Sequence, residues 1–187
     1  MVNNLFRVFS GDGVMRNSLL VLVCLCCFVS TKAFAQEERL VVRKSSKDPS
    51  LFVCETKHAT FNVPKDWQPN QSGGATYAIL TKSNETYPKV SQMISIDIGK
   101  PSEPTAKKLA EAFAKKFNGS VGEVAIEIDG EKGWRVTIPT DKKSIRPVDC
   151  IVAFKDGRSF LLIGAAKEAG DLPKALDELV AGWKWKK

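Results

Sequence analysis

The stretch Ser159–Ala166, SFLLIGAA, is apolar at almost every position, and it constrains the fold more than any other segment. A strand that is greasy on both faces belongs in the middle of a sheet covered on both sides. Lys155-Asp156-Gly157-Arg158 precedes it, and these turn residues join it to Val148–Phe154 as a hairpin. A second hairpin lies upstream. Val124, Ile126 and Ile128 alternate there with Glu123, Glu127 and Asp129. Across the turn Gly130-Glu131-Lys132-Gly133, Trp134, Val136 and Ile138 alternate with Arg135 and Thr137. Period-two alternation of this kind marks strands with one buried and one wetter face. The two hairpins are separated by a basic loop, Pro139–Pro147.

The first half of the chain adds strand candidates at Leu51–Glu55, Thr60–Val63, Ala75–Lys82 and Gln92–Gly99. Pro64-Lys65-Asp66-Trp67 reads as a turn, because proline fixes its own φ and disfavours helix in the residue before it. Ser83–Lys89 reads as a loop. Two helices are predicted. In Glu103–Asn118, Ala106, Leu109, Ala110, Phe113, Ala114 and Phe117 recur at three- and four-residue steps as one apolar stripe. Ser102 is placed to cap its start, Asn118-Gly119 to stop it, and Glu111 to pair with Lys115 one turn on. The second helix, Leu172–Gly182, is capped by Asp171 and tolerates Pro173 in its first turn. Its stripe is Leu172, Leu176, Leu179, Val180 and Trp183. The sum is an α+β domain: a largely antiparallel sheet of about six or seven strands with helices packed on it.

Residues 1–35 read as a secretory signal. Arg16 supplies a basic flank, Leu19–Val29 an apolar run, and Ala33-Phe34-Ala35 a small-residue cleavage pattern, so the cut is expected between Ala35 and Gln36. The run is too short for a spanning helix, which needs roughly 20 apolar residues; a retained anchor is the alternative. Met1 and Met15 are both workable starts. Cys24, Cys26 and Cys27 lie inside this segment, with Val23, Leu25 and Cys26 before them where a lipid-modified cysteine wants a small residue. Residues 36–50 read as a flexible leader and 51–187 as one domain. Cleavage leaves 152 residues with 25 Lys and Arg against 20 Asp and Glu. That mild basic excess lacks the patch and motif of a nucleic-acid binder. A secreted or periplasmic monomer is expected.

Cys54 and Cys150 remain after cleavage. In an oxidising compartment a pair is often bridged, and closing so long a loop contributes on the order of 4 kcal/mol in the chain-entropy model. Free thiols are the alternative, since proximity is not legible in sequence.

The segment Phe61-Asn62-Val63-Pro64-Lys65-Asp66-Trp67, the long middle helix, the two hairpins and a closing helix that ends in an aromatic residue together resemble the PsbP-like superfamily. That family includes the PsbP subunit of the photosynthetic oxygen-evolving complex and bacterial envelope proteins of the DcrB type. The resemblance runs over Val53–Trp185 and implies an α/β/α sandwich that acts as a binding or assembly module. It carries over no catalytic set and leaves the partner open as an unknown protein or envelope component; from the residues themselves no cofactor and no metal are expected.

Reactive constellations are thin. His58 is the only histidine, and no serine elbow accompanies it. Cys54, His58 and Cys150 offer thiolate and imidazole but not zinc-site spacing. Glu127 and Asp129 are expected on one face of a strand, as in a carboxylate pair, although alternating acids are usually a solvated face. An envelope hydrolase using His58 or this acidic strand is therefore an alternative function. A peripheral membrane module built on the basic aromatic tail Trp183–Lys187 is another. Trp134 and Trp183 sit on core stripes, whereas Trp67 and Trp185 are placed in a turn and at the terminus, where exposed rings contact partners. Asn70-Gln71-Ser72, Asn84-Glu85-Thr86 and Asn118-Gly119-Ser120 fit the glycosylation pattern, which matters only in a eukaryotic host.

Overall fold

A computed structural model describes residues 40–46, 48–70, 76–85, 90–140 and 143–186. The export segment and its cleavage site lie outside these residues. The strands are β1 (Val41–Lys44), β2 (Phe52–Glu55), β3 (Ala59–Asn62), β4 (Trp67–Asn70), β5 (Thr76–Lys82) and β6 (Gln92–Gly99). Helix α1 (Ala106–Phe117) follows, then β7 (Ser120–Val121), β8 (Ile126–Ile128), β9 (Glu131–Thr137), β10 (Arg146–Lys155) and β11 (Arg158–Ala166). Helix α2 (Leu172–Ala181) and β12 (Lys184–Trp185) close the chain.

The α+β class holds, but the sheet differs from expectation. It has eight strands rather than six or seven, in the order β4-β5-β6-β11-β10-β9-β7 with β8 also on β9, and a second sheet runs β1-β2-β3-β12. The pairings within both sheets are antiparallel. Short strands account for the difference. β4, β7 and β12 have four residues or fewer and show no period of their own, so only their distant partners define them. Val41–Lys44 corrects the flexible leader: it pairs with Phe52–Glu55, and Val42 and Leu40 pack against the core.

As its composition requires, β11 sits in the middle, between β6 and β10. Its register decides the two faces. Phe160, Leu162, Gly164 and Ala166 stand opposite Ile98, Ile96, Ile94 and Gln92 of β6, on the face that carries the larger core. There α2, through Leu172, Ala175, Leu176 and Leu179, and the small sheet, through Cys54, Ala59 and Phe61, cover the strands. Ile163 points the other way, with Cys150, Val152 and Val136, and α1 covers that face through Ala106, Ala110, Phe113 and Ala114. At Gly164 a Cβ would lie 2.8 Å from Leu172 Cδ2, so the absence of a side chain is what lets α2 seat on the sheet.

Helix α1 starts later than its stripe suggested. Pro104 biases Glu103 away from helix, so Thr105, not Ser102, is the cap: it is extended (φ −140°) and its side chain accepts from the Lys108 amide. Asn118 ends the helix in the left-handed region at φ 57°, and the amide of Gly119 donates to Ala114. At α2, Asp171 holds the capping position but makes no capping bond; its carboxylate takes Lys82 Nζ instead.

Candidate functional site

Both cysteines are free thiols, which corrects the disulfide expectation. The reason is topological: Cys54 lies in the core beneath the small sheet, and Cys150 in the core beneath α1 on the opposite face of the large sheet. Neither has exposed surface. Burial pushes the Cys54 thiol up to about 12 and the Cys150 thiol well above its ordinary value. Buried, protonated thiols of this kind are inert. Among the described residues no cluster of three or more His, Cys, Asp or Glu is placed to hold a metal.

Trp67 also departs from expectation. The turn before it, with Asp66 at φ 65°, sends the ring inward, where it is 4 % exposed within the larger core and lies under Lys82 Nζ. It offers no surface to a partner. Trp185 is half-buried: its indole Nε1 donates to the Ile128 carbonyl at 2.7 Å and its ring packs edge-on against Phe160 and Trp183. The core position expected for Trp183 is occupied as read, stacked on Phe61 with centroids 4.9 Å apart. Trp134 is half-buried, with Lys107 Nζ 4.8 Å above its ring.

The basic aromatic tail is built into the fold. Lys184 and Trp185 pair with Thr60 and Ala59 as β12. Lys184 Nζ lies 2.6 Å from Asp129 Oδ1, the Trp185 amide donates to Asp129 Oδ2, and Lys186 Nζ lies 2.6 Å from Glu55 Oε1. These bonds hold the Asp129 and Glu55 carboxyls below their ordinary range, Lys184 and Lys186 contributing most. The tail thus clamps the small sheet to the turn between β8 and β9. Asp129 stands in that turn at φ 47°, whereas Glu127 is exposed on β8 opposite Lys132, so the two acids have separate surroundings. His58 lies at the same corner, its ring 5.9 Å from Phe160, its amide bonded to Thr56 Oγ1 and its carbonyl to the Lys186 amide. Among the described residues no helix is long and apolar enough to cross a membrane.

The largest buried electrostatic arrangement was not singled out in the sequence. Arg135, on β9, donates from Nε to both Asp149 oxygens at 3.0 Å and from Nη2 to Oδ2 at 2.7 Å. Its Nη1 reaches Asp177 at 2.7 Å and its Nη2 the Pro173 carbonyl at 3.1 Å, both on α2. Desolvation pushes the buried Asp149 carboxyl up, with the Arg135 guanidinium opposing it, while the same pairing raises Arg135. The signal was present: Asp149 is the one charge within Val148–Phe154, and a lone acid in an apolar strand demands a partner. This network rivets α2 to the sheet, which is structural work.

The outer face of α1 gathers several exposed lysines. Ion pairs elsewhere join Arg43 to Glu55, Lys82 to Asp171, Arg135 to Asp149 and Asp177, Lys155 to Glu131, Lys184 to Asp129 and Lys186 to Glu55. Lys174 also lies near Glu178, and among the described residues no ion pair involves Lys107, Lys108 or Lys115. Lys108, Glu111 and Lys115 are exposed on the side opposite the buried Ala110 and Ala114. The Glu111–Lys115 pair expected from their spacing does not form among the described residues.

The molecule is thus a two-sheet α+β domain whose buried ionisable groups serve the fold and whose helix α1 turns a cluster of lysines to solvent. Among solved structures it is similar to cyanobacterial PsbP from Synechocystis, at 15 % identity and a TM-score of 0.45 over 84 % of this chain and 98 % of that one. It is similar also to a protein from Bacteroides thetaiotaomicron, at 12 % identity and a TM-score of 0.44, over 69 % of this chain and 45 % of the other. No family model matches, and no curated protein does.

Proposed function

We propose that this chain is a non-enzymatic accessory domain that binds a protein or envelope component and works outside the cytosol after losing residues 1–35. One observation carries the reading. The groups with reactive potential hold the fold together: the thiols are buried and protonated, Asp129 clamps the tail, and Asp149 is held by Arg135. The cations of α1's outer face, by contrast, are left facing solvent. The tail argues against a membrane module built on Trp183–Lys187, because Lys184, Lys186 and the Trp185 indole are already engaged and the Trp183 ring is buried.

Two measurements test the proposal. Cross-linking of the exported protein in its own envelope, followed by affinity purification, is expected to return one reproducible partner. In parallel, wild type and the His58→Ala and Glu127→Ala variants are assayed against ester, peptide and glycoside panels. Turnover that disappears on either substitution would replace this reading with the hydrolase.

A further inference from the structure

Resting on that reading, we infer that the outer face of α1 is the docking surface and that its partner is a protein surface carrying carboxylates. Three observations lead there. The first is clustering: Lys107, Lys108, Lys115 and Lys116 are all exposed on one helix, and among the described residues Lys108 and Lys115 have no carboxylate partner, whereas the unpaired lysines elsewhere, Lys57, Lys65, Lys132 and Lys167, are scattered along the chain. Over residues 100–118 the chain carries Lys100, Lys107, Lys108, Lys115 and Lys116 against Glu103 and Glu111, a local basic excess centred on the helix.

The second is geometry. Lys108 and Lys115 are seven residues apart, which puts them nearly on one line along the helix, about 10.5 Å apart at 1.5 Å per residue. Helix α1 is fixed beneath them by Ala110, Phe113 and Ala114, so the two cations are presented from a rigid support. At the flank, Lys107 Nζ lies 4.8 Å over the ring of Trp134, which is half-buried. Rigid cations beside a partly covered aromatic ring are ordinary components of a protein interface.

The third is the sign pattern, which separates the possible partners. Exposed Glu111 stands between the two lysines. A uniformly anionic surface, such as a phospholipid leaflet, would be attracted by Lys108 and Lys115 and repelled by Glu111. The face also offers nothing to insert, because α1's apolar stripe is turned onto the sheet. A protein can place two carboxylates against the lysines and a cation or amide against Glu111, satisfying all three.

The test uses the purified protein with two probes, poly-L-glutamate and phosphatidylglycerol vesicles, at low and moderate salt. Poly-L-glutamate is expected to bind, more weakly as salt rises, and the double variant Lys108→Glu/Lys115→Glu to weaken that binding about tenfold or more. Lys65→Glu/Lys132→Glu makes the same change of net charge elsewhere on the exposed surface and is expected to stay within about twofold of wild type. Equal losses from both double variants would show net charge alone at work and overturn the inference. So would failure of wild type to bind poly-L-glutamate, or Lys108- and Lys115-dependent binding that favours the vesicles. In the envelope cross-linking experiment, a partner retained by wild type and by Lys108→Glu/Lys115→Glu alike would sink the α1 surface but leave the accessory reading standing; no partner with either would sink the reading itself.

Discussion

Replacing Arg135 by methionine removes the guanidinium that holds Asp149, whose side chain is 4 % exposed. Three hydrogen bonds to that carboxylate go at once, together with the links to Asp177 and the Pro173 carbonyl on α2. Breaking one side of a buried pair typically costs about 3–5 kcal/mol, because the surviving charge is left desolvated. A ceiling applies, since a carboxyl pushed far enough above its ordinary range takes up a proton instead; at pH 7 that ceiling is about 4 kcal/mol. The expected loss is therefore about 3–4 kcal/mol at pH 7. For a domain of this size it lowers Tm by roughly 6–16 °C. Urea unfolding followed by tryptophan fluorescence measures it, with Trp183 and Trp67 as buried reporters. The pH dependence carries the mechanism. In the variant the folded-state carboxyl is raised above its unfolded value, so the stability it allows is complete below the unfolded range and is lost as pH rises through the raised value. The deficit relative to wild type should thus shrink between pH 7 and about pH 5. Adding Asp149→Leu to the variant should recover most of the loss, because an apolar pair of similar volume has no charge to strand. A deficit below about 1 kcal/mol, or one that is flat from pH 7 to pH 5, would refute this account of Asp149.

Gly164→Ala places a methyl 2.9 Å from Leu172 Cγ and 3.2 Å from Leu176 Cδ1, against side chains that are themselves fully buried, and should cost about 1–3 kcal/mol; a melting temperature at or above wild type would contradict it. The two thiols should ignore a disulfide-exchange reagent in native protein and both react once it is unfolded, because burial keeps them protonated. A non-reduced mass two hydrogens short would show a bridge after all. Asp129→Asn and Glu55→Gln should each flatten the acid limb of the stability profile. Their folded-state carboxyls are held low by Lys184 and Lys186, so their stabilisation is present above the ordinary carboxylate range and lost as pH falls below about 4; acid limbs that match wild type would remove the tail clamp from the explanation.

The parts of this fold that could be read from the chain are those whose pattern repeats within a few residues. Strand β11 announced its central place by lacking polar positions, β6 its buried face through Ile94, Ile96 and Ile98, and α1 its seat through a stripe at three- and four-residue steps. What escaped was decided by partners far along the chain. The short strand β1 looked like leader because Val41–Lys44 contains two cations in four residues, and only pairing with Phe52–Glu55 makes it a strand. Cys54 and Cys150 suited a bridge by number and compartment, yet the large sheet stands between their two cores. Trp67 follows a turn, and a turn says where the chain reverses, not whether the next ring folds inward. The same limit governs the candidate surface. Lys108, Lys115, Lys184 and Lys186 are indistinguishable as letters, and local charge density would favour the tail, where Lys184, Lys186 and Lys187 fall within the last four residues. The register of β12 against β3 brings Lys184 to Asp129 and Lys186 to Glu55, across 55 and 131 residues of chain, and so withdraws these two lysines from the set of free cations. No such register reaches the solvent side of α1, whose neighbours are settled by its apolar stripe alone. A cation on that side stays unpaired unless a residue three or four away answers it, and Glu111, which stands at that distance from both Lys108 and Lys115, pairs with neither.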